Sequence, residues 1–310
     1  MMPYAGAWSV HDPILRDHRD FVQGLWNERD WDFTELKHNY FKLYKQWMFE
    51  PHPRIQGIDW YGEPCFTQGT TESFNLFYIR HSDKRLRIAR GEYFYHNMIG
   101  KLYDKPFAFL DEDDDLREGD AVVLSVPFSD TGNMPNRLTR GCYFQNKVDL
   151  ETLLTRCDYN GIPVMLDLAY LNLAKDLSFD LRHECIEYIT SSLSKVFPLE
   201  LSRVGIRFQK SSFEDQLNIM NEDKLNYINM HSLYLGYHMM KEWKADWLYT
   251  KYRDKQIQLC EELEVEPSSC VIFGIDNDNK YPQYNRGGRT NRLCFSRIWD
   301  GRNIATREKL

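Results

Sequence analysis

The sequence predicts an α/β fold, a mostly parallel central sheet flanked by helices, with an abbreviated small α/β subdomain at the C-terminal end. Three observations predict it. Ala121-Val122-Val123-Leu124-Ser125-Val126 and Ile162-Pro163-Val164-Met165-Leu166-Asp167-Leu168-Ala169-Tyr170 are buried-strand runs, and residues 187–193 supply a third. A helical stretch over residues 150–158 separates the first two. Strand, helix and strand in that rhythm imply parallel crossovers. In such sheets a site lies beyond the carboxyl ends of the strands, where Ser129, Asp167 and Lys195 all fall.

Taken in order, residues 14–49 place Phe21, Leu25, Trp26, Leu36, Tyr40, Leu43, Tyr44 and Trp47 at helical spacing. This predicts one or two amphipathic helices whose stripe is core or subunit interface. Pro51, Pro53, Gly57 and Gly62 end the pattern. Gly69-Thr70-Thr71 precedes a helix over residues 73–81. These residues either cap that helix through Thr71 or offer N–H groups, hydroxyls and the positive dipole end to an anion. Residues 85–89 read as a strand. The run Asp111-Glu112-Asp113-Asp114-Asp115 lacks the glycine and distant glutamate of a calcium loop and reads as a solvated turn. Residues 213–263 contain no proline and predict two or three helices. Cys270-Val271-Ile272-Phe273 and Arg292-Leu293-Cys294-Phe295-Ser296 then read as strands around a polar loop. The implied division is an N-terminal helical segment over residues 1–60, a large domain with its following helices over 61–263, and the abbreviated subdomain over 264–310.

Composition narrows the classes. A chain of 310 residues with 42% hydrophobic residues is long enough for a substantial core, and its net charge of −7 argues against a general nucleic-acid or anionic-membrane binder. The seven cysteines are scattered with no C-x-x-C pair, and no signal peptide or run of roughly 18 apolar residues occurs. No H-E-x-x-H or G-x-S-x-G motif is found. The expectation is a soluble cytoplasmic protein with no metal, membrane or nucleic-acid partner.

The chain is organised around Ser191-Ser192-Leu193-Ser194-Lys195, with Arg203-Val204-Gly205 beginning eight residues beyond the lysine. A lysine amine condenses with an aldehyde as a Schiff base, and a hydroxyl and a guanidinium neutralise a phosphate. Together these segments resemble the fold type I pyridoxal-phosphate enzymes of the aspartate and aromatic aminotransferase-like branch. Ordered motifs run from about Gly69 to Gly205, with weaker agreement to about Ser296. The resemblance implies pyridoxal phosphate on Lys195, with its phosphate at Gly69, Thr70, Thr71, Ser192 and Arg203. It places Asp167, of Asp167-Leu168-Ala169-Tyr170, at the ring nitrogen and Tyr170 at the ring oxygen. A carboxylate there keeps the nitrogen protonated, so that the ring acts as an electron sink. Tyr93 takes the place of the stacking aromatic, with Tyr95 as the alternative. Arg292, ahead of Leu-Cys-Phe-Ser, resembles the arginine that clamps a substrate carboxylate, with Arg286, Arg289 and Arg297 nearby.

Three departures stand out. Ser129-Asp130-Thr131-Gly132 replaces the family's N-P-x-G, so Ser129 stands where an asparagine usually bonds the ring oxygen. The chain is short for the family, and no substrate-gating segment is matched in residues 1–60. The resemblance implies an aminotransferase acting on an amino acid and a 2-oxo acid as a homodimer, with Lys195 moving the proton. Alternatives are another reaction with the same cofactor (decarboxylase, lyase or racemase) and a non-catalytic binding protein. The joint presence of Lys195, Asp167, Tyr170 and Arg203 argues against the last.

Overall fold

A computed structural model describes residues 6–102, 106–110, 116–135, 149–210, 214–288 and 290–299. The acidic run at 111–115, Cys142 and Arg289 lie outside them. The N-terminal stripe forms α1 (Pro13–Gly24) and α2 (Phe33–Phe49). Each opens on an aspartate: Asp12 accepts from the Ile14 amide at 2.9 Å and Asp32 from the Glu35 amide at 3.0 Å. There follow β1 (Ile55–Gln56), β2 (Cys65–Thr67), α3 (Thr70–Arg80), β3 (Arg85–Ile88), α4 (Phe94–Leu102), β4 (Phe107–Phe109) and β5 (Asp120–Ser125). Next come α5 (Leu150–Tyr159), β6 (Val164–Asp167), β7 (Phe179–Asp180), β8 (Ile186–Ser192) and β9 (Gly205–Gln209). Three helices, α6 (Gln216–Asn221), α7 (Met230–Glu242) and α8 (Trp247–Leu263), lead to β10 (Glu266–Pro267), β11 (Phe273–Asp276) and β12 (Asn291–Cys294).

The central sheet has seven strands in the order β2-β9-β8-β6-β5-β3-β4. Pairing is parallel from β4 through β8, while β9 runs antiparallel to both β8 and β2. The reversal falls where residues 193–204 make successive turns and no helix carries the chain back across the sheet. Alternation along the strands feeds two apolar layers. Val122 and Leu124 of β5 enter the larger cluster, whereas Ala121 and Val123 pack with Phe74 and Phe77 of α3 on the other face. Helix α2 seats Leu36, Tyr40, Tyr44 and Trp47 in the larger cluster, and the Tyr40 hydroxyl donates to the Gly205 carbonyl at 2.9 Å.

Local geometry shifts some expected elements. Helix α3 starts at Thr70, and Gly69 rather than Thr71 is its N-cap. The strand expected over residues 162–170 ends at Asp167, whose carboxylate accepts from the Ala169 amide at 3.0 Å and turns the chain out of the ladder. Residues 270–272 precede β11 instead of forming it: the Cys270 amide donates to the Gly132 carbonyl at 3.0 Å and the Val271 amide to the Leu173 carbonyl at 2.7 Å, outside the β10-β11-β12 ladder. Among the described residues no helix is long and apolar enough to cross a membrane, and no cluster of three or more His, Cys, Asp or Glu could hold a metal ion.

Candidate active site

A cavity of about 400 Å³ lies beyond the carboxyl ends of β5, β6 and β8. One flank is built from backbone and small side chains. Gly69 caps α3 at φ 79° without a side-chain bond, so the first-turn N–H groups keep their capacity for an anion, and Thr70 and Thr71 of that turn line the cavity. The Arg203 guanidinium lies directly over Gly69: a Cβ there would stand 2.6 Å from Nη2. A Cβ at Gly205 would stand 3.0 Å from the Gly69 Cα, so both glycines answer a close approach as well as, for Gly69, a left-handed φ. Arg203 itself sits at φ 55°, uncommon for a residue with a side chain. Ser192, the last residue of β8, holds its Oγ 2.8 Å from Ser194 Oγ and accepts from the Ser194 amide at 3.2 Å.

The centre and far flank hold ionisable groups. Lys195, in the turn after β8, donates from Nζ to the Ala7 carbonyl at 2.7 Å. Burial pulls its pKa down to about 8; Cys294 and Asp167 oppose that pull, and the guanidiniums of Arg292 and Arg203 add to it. Asp167 is pushed up to about 7, first by burial and then by the charge of Glu92. Glu92 is buried and also pushed up to about 7 by burial, although its carboxyl accepts from the Ser125 amide at 2.8 Å and the Ser125 hydroxyl at 2.5 Å. Ser125 is the register partner of Asp167, so the two acids stand behind adjacent strand ends. Tyr170 meets Phe273 edge-on at 5.3 Å, and burial raises its hydroxyl pKa. Arg292 is fully buried, donates from Nη1 to the Ser129 carbonyl and lies 4.2 Å over the Phe273 ring.

No family model and no curated protein matches this sequence. Solved structures do resemble the chain. The structure of MppP soaked with the product 2-ketoarginine aligns at TM-score 0.67 and 12% identity over 96% of each chain. The aromatic aminotransferase from Pyrococcus horikoshii OT3 aligns at 0.60 and 13%, over 96% of this chain and 93% of that one. A PLP-bound C-S lyase from Staphylococcus hominis aligns at 0.61 and 10%, over 94% and 84%. The fold is that of the fold type I pyridoxal-phosphate enzymes.

On this fold type I scaffold the structure brings Thr70, Thr71, Tyr93, Ser129, Asp167, Tyr170, Ser192, Lys195, Arg203 and Arg292 to one cavity, with Gly69 directly under Arg203. Tyr93 lines the cavity, whereas Tyr95 points its hydroxyl at Asn75 Oδ1, 2.5 Å away, and packs in the α3 layer. Sequence reasoning missed residues 6–9, Phe94, Ser194 and Glu200 as lining groups, and gave no role to Arg286 or Glu92. The N-terminal segment is tied over the cavity: the Ser9 hydroxyl donates to the Ser194 carbonyl, His11 pairs with Glu200, and Asp12 accepts from Lys251 and Tyr252. No helical or strand periodicity marks residues 6–9, so only the fold reveals them.

Proposed function

We propose that this protein is a pyridoxal-phosphate-dependent aminotransferase that moves an amino group between an amino acid and a 2-oxo acid. The observation that carries this reading is the convergence, in one cavity, of the Lys195 amine, the Asp167 carboxyl and a side-chain-free helix start overlaid by Arg203.

The residues present fit the cofactor. The α3 N–H groups, Thr70, Thr71, Ser192 and Arg203 form a donor set suited to a phosphate dianion. Asp167 is a buried carboxyl whose ionised form a protonated ring nitrogen would favour. When bound, the cofactor supplies an electron-accepting ring that stabilises negative charge at a substrate's α-carbon. Lys195, with a pKa drawn to about 8, keeps a neutral share near neutral pH and can both attack an aldehyde and move a proton. The Ala7 carbonyl gives its Nζ a fixed resting place. Arg292, held by the Ser129 carbonyl and Phe273, presents a rigid fork to an α-carboxylate. The reading includes a homodimer, which the same resemblance implies.

Visible absorbance of the protein mixed with pyridoxal phosphate tests this. The expected result is a pH-sensitive band, absent in Lys195→Ala, that an amino acid bleaches and a 2-oxo acid restores. Bleaching accompanied by ammonia release would move the reaction to elimination, the second reading, since a C-S lyase shares the fold. A wild-type protein without any band would remove the cofactor from the proposal.

A further inference from the structure

Arg286 lines the cavity without a part in the scheme above. Its contacts all run through Nη1, at 3.4 Å to the Gly91 carbonyl, 3.3 Å to the Ser129 carbonyl and 3.4 Å to Ser129 Oγ. These are long for hydrogen bonds, and Nε and Nη2 make none among the described residues. Burial draws the guanidinium pKa down to about 10, with Arg292 adding to the fall, while Tyr170, Asp130 and Glu92 oppose it.

The loop that carries Arg286 is fixed against the end of β5. A Cβ at either Gly91 or Gly288 would stand 2.5 Å from Asp130 Cγ, so the Asp130 carboxyl is clamped between two glycines. The Thr290 hydroxyl then donates to Asp130 Oδ2 at 2.8 Å. Asp130 occupies the position where the resemblance leads one to expect proline, and its carboxyl anchors the arginine loop.

Strand order sets what Arg286 faces. Arg203 leads into β9, Lys195 follows β8, Asp167 ends β6 and Ser129 follows β5, in that order across the sheet. Pyridoxal phosphate carries its aldehyde opposite its ring nitrogen, with the phosphate arm on one flank of that axis and the phenolic oxygen on the other. With aldehyde, nitrogen and phosphate assigned to Lys195, Asp167 and Arg203, the phenolic oxygen belongs on the β5 side. Ser129 and Arg286 meet there, and Tyr170 lines the same cavity. The Ser129 hydroxyl is short and already meets Arg286 Nη1.

We propose that Arg286 donates a charge-assisted hydrogen bond to the cofactor's phenolic oxygen beside Tyr170, supplying from the C-terminal loop the donor that Ser129 is too short to provide. This rests on the pyridoxal-phosphate reading.

The test is equilibrium dialysis of pyridoxal phosphate and of its 3-deoxy analogue against wild type, Arg286→Leu and Arg286→Lys. Wild type should prefer pyridoxal phosphate. Arg286→Leu should erase about ten- to a hundredfold of that preference, the range for a hydrogen bond to a charged group, while affinity for the 3-deoxy analogue stays near wild type. Arg286→Lys should restore part of it. An unchanged preference in Arg286→Leu overturns the proposal, whether both ligands weaken equally or only an added amino acid binds less well; the latter result gives Arg286 to the substrate. Failure of the wild type to bind either ligand overturns the cofactor reading itself, a different result from an unchanged preference.

Discussion

The two flanks of the cavity are built on different physics. Around Gly69, Ser192 and Arg203 the wall is backbone N–H, small hydroxyls and one guanidinium that reaches its place because Gly69 leaves room. Around Asp167, Lys195 and Arg286, with Glu92 buried behind them, stand ionisable groups whose proton affinities burial has displaced: two acids up to about 7, a lysine down to about 8 and an arginine down to about 10. The first flank works by geometry and fails when an atom is added. The second works by charge balance in a desolvated setting, so it fails when a proton or a charge is changed and the shape is kept.

The largest effect belongs to the second flank. Lys195→Ala removes the only side chain assigned to covalent attachment, so borohydride treatment with pyridoxal phosphate should leave no added mass on the variant. Turnover should fall by at least the 10²–10⁴ typical of a lost acid–base group. Persistent labelling at full yield would place attachment elsewhere. The first flank is broken by Gly69→Ala, whose Cβ meets Arg203 Nη2 at 2.6 Å and whose φ of 79° disfavours any side chain. A side chain at φ 79°, ψ 177°, a region kept almost entirely to glycine, costs about 1–3 kcal/mol of stability. Displacing the Arg203 guanidinium and the helix start should lower affinity for pyridoxal phosphate roughly tenfold. Affinity for pyridoxal, which lacks the phosphate, should hold. Equal losses for both ligands would show that the flank does not read phosphate.

The same contrast explains what the sequence made legible. Gly69-Thr70-Thr71, Ser192 through Lys195 and Arg203-Val204-Gly205 are short runs whose spacing is the geometry, so the fold type, and the residues that meet on this flank, could be read from the sequence. Asp167 was legible because a carboxylate at the end of an apolar strand is conspicuous. Glu92 was not, since it looks like a solvated residue until Ser125 and the register with β6 bury it. Arg286 could not be told from its arginine neighbours, because the choice depends on Gly288 packing on Asp130 across the chain. The Ala7 contact to Lys195 spans 188 residues and leaves no local pattern. The antiparallel β9 was hidden too, because the turns after Lys195 replace the helix that strand–helix rhythm leads one to expect.

Glu92→Gln sharpens the comparison with the smallest effect. Glu92 and Asp167 titrate near 7 in the folded, cofactor-free protein and near 4 when unfolded. Between those values the native state binds protons that the unfolded state has released. The stability these groups contribute is therefore complete below about pH 4 and is lost as pH rises through about 7. Glutamine at position 92 removes one of the two titrations and also removes the Glu92 charge that helps to raise Asp167. Relative to wild type, the variant should gain on the order of 1–3 kcal/mol of stability between about pH 5 and about pH 8, read from thermal midpoints of the cofactor-free protein. Ser192→Ala, on the geometric flank, should leave the wild-type pH slope intact. Parallel stability profiles for wild type and Glu92→Gln would mean that Glu92 is ionised throughout and that its bonds to Ser125 outweigh burial, which would make the second flank a matter of geometry as well.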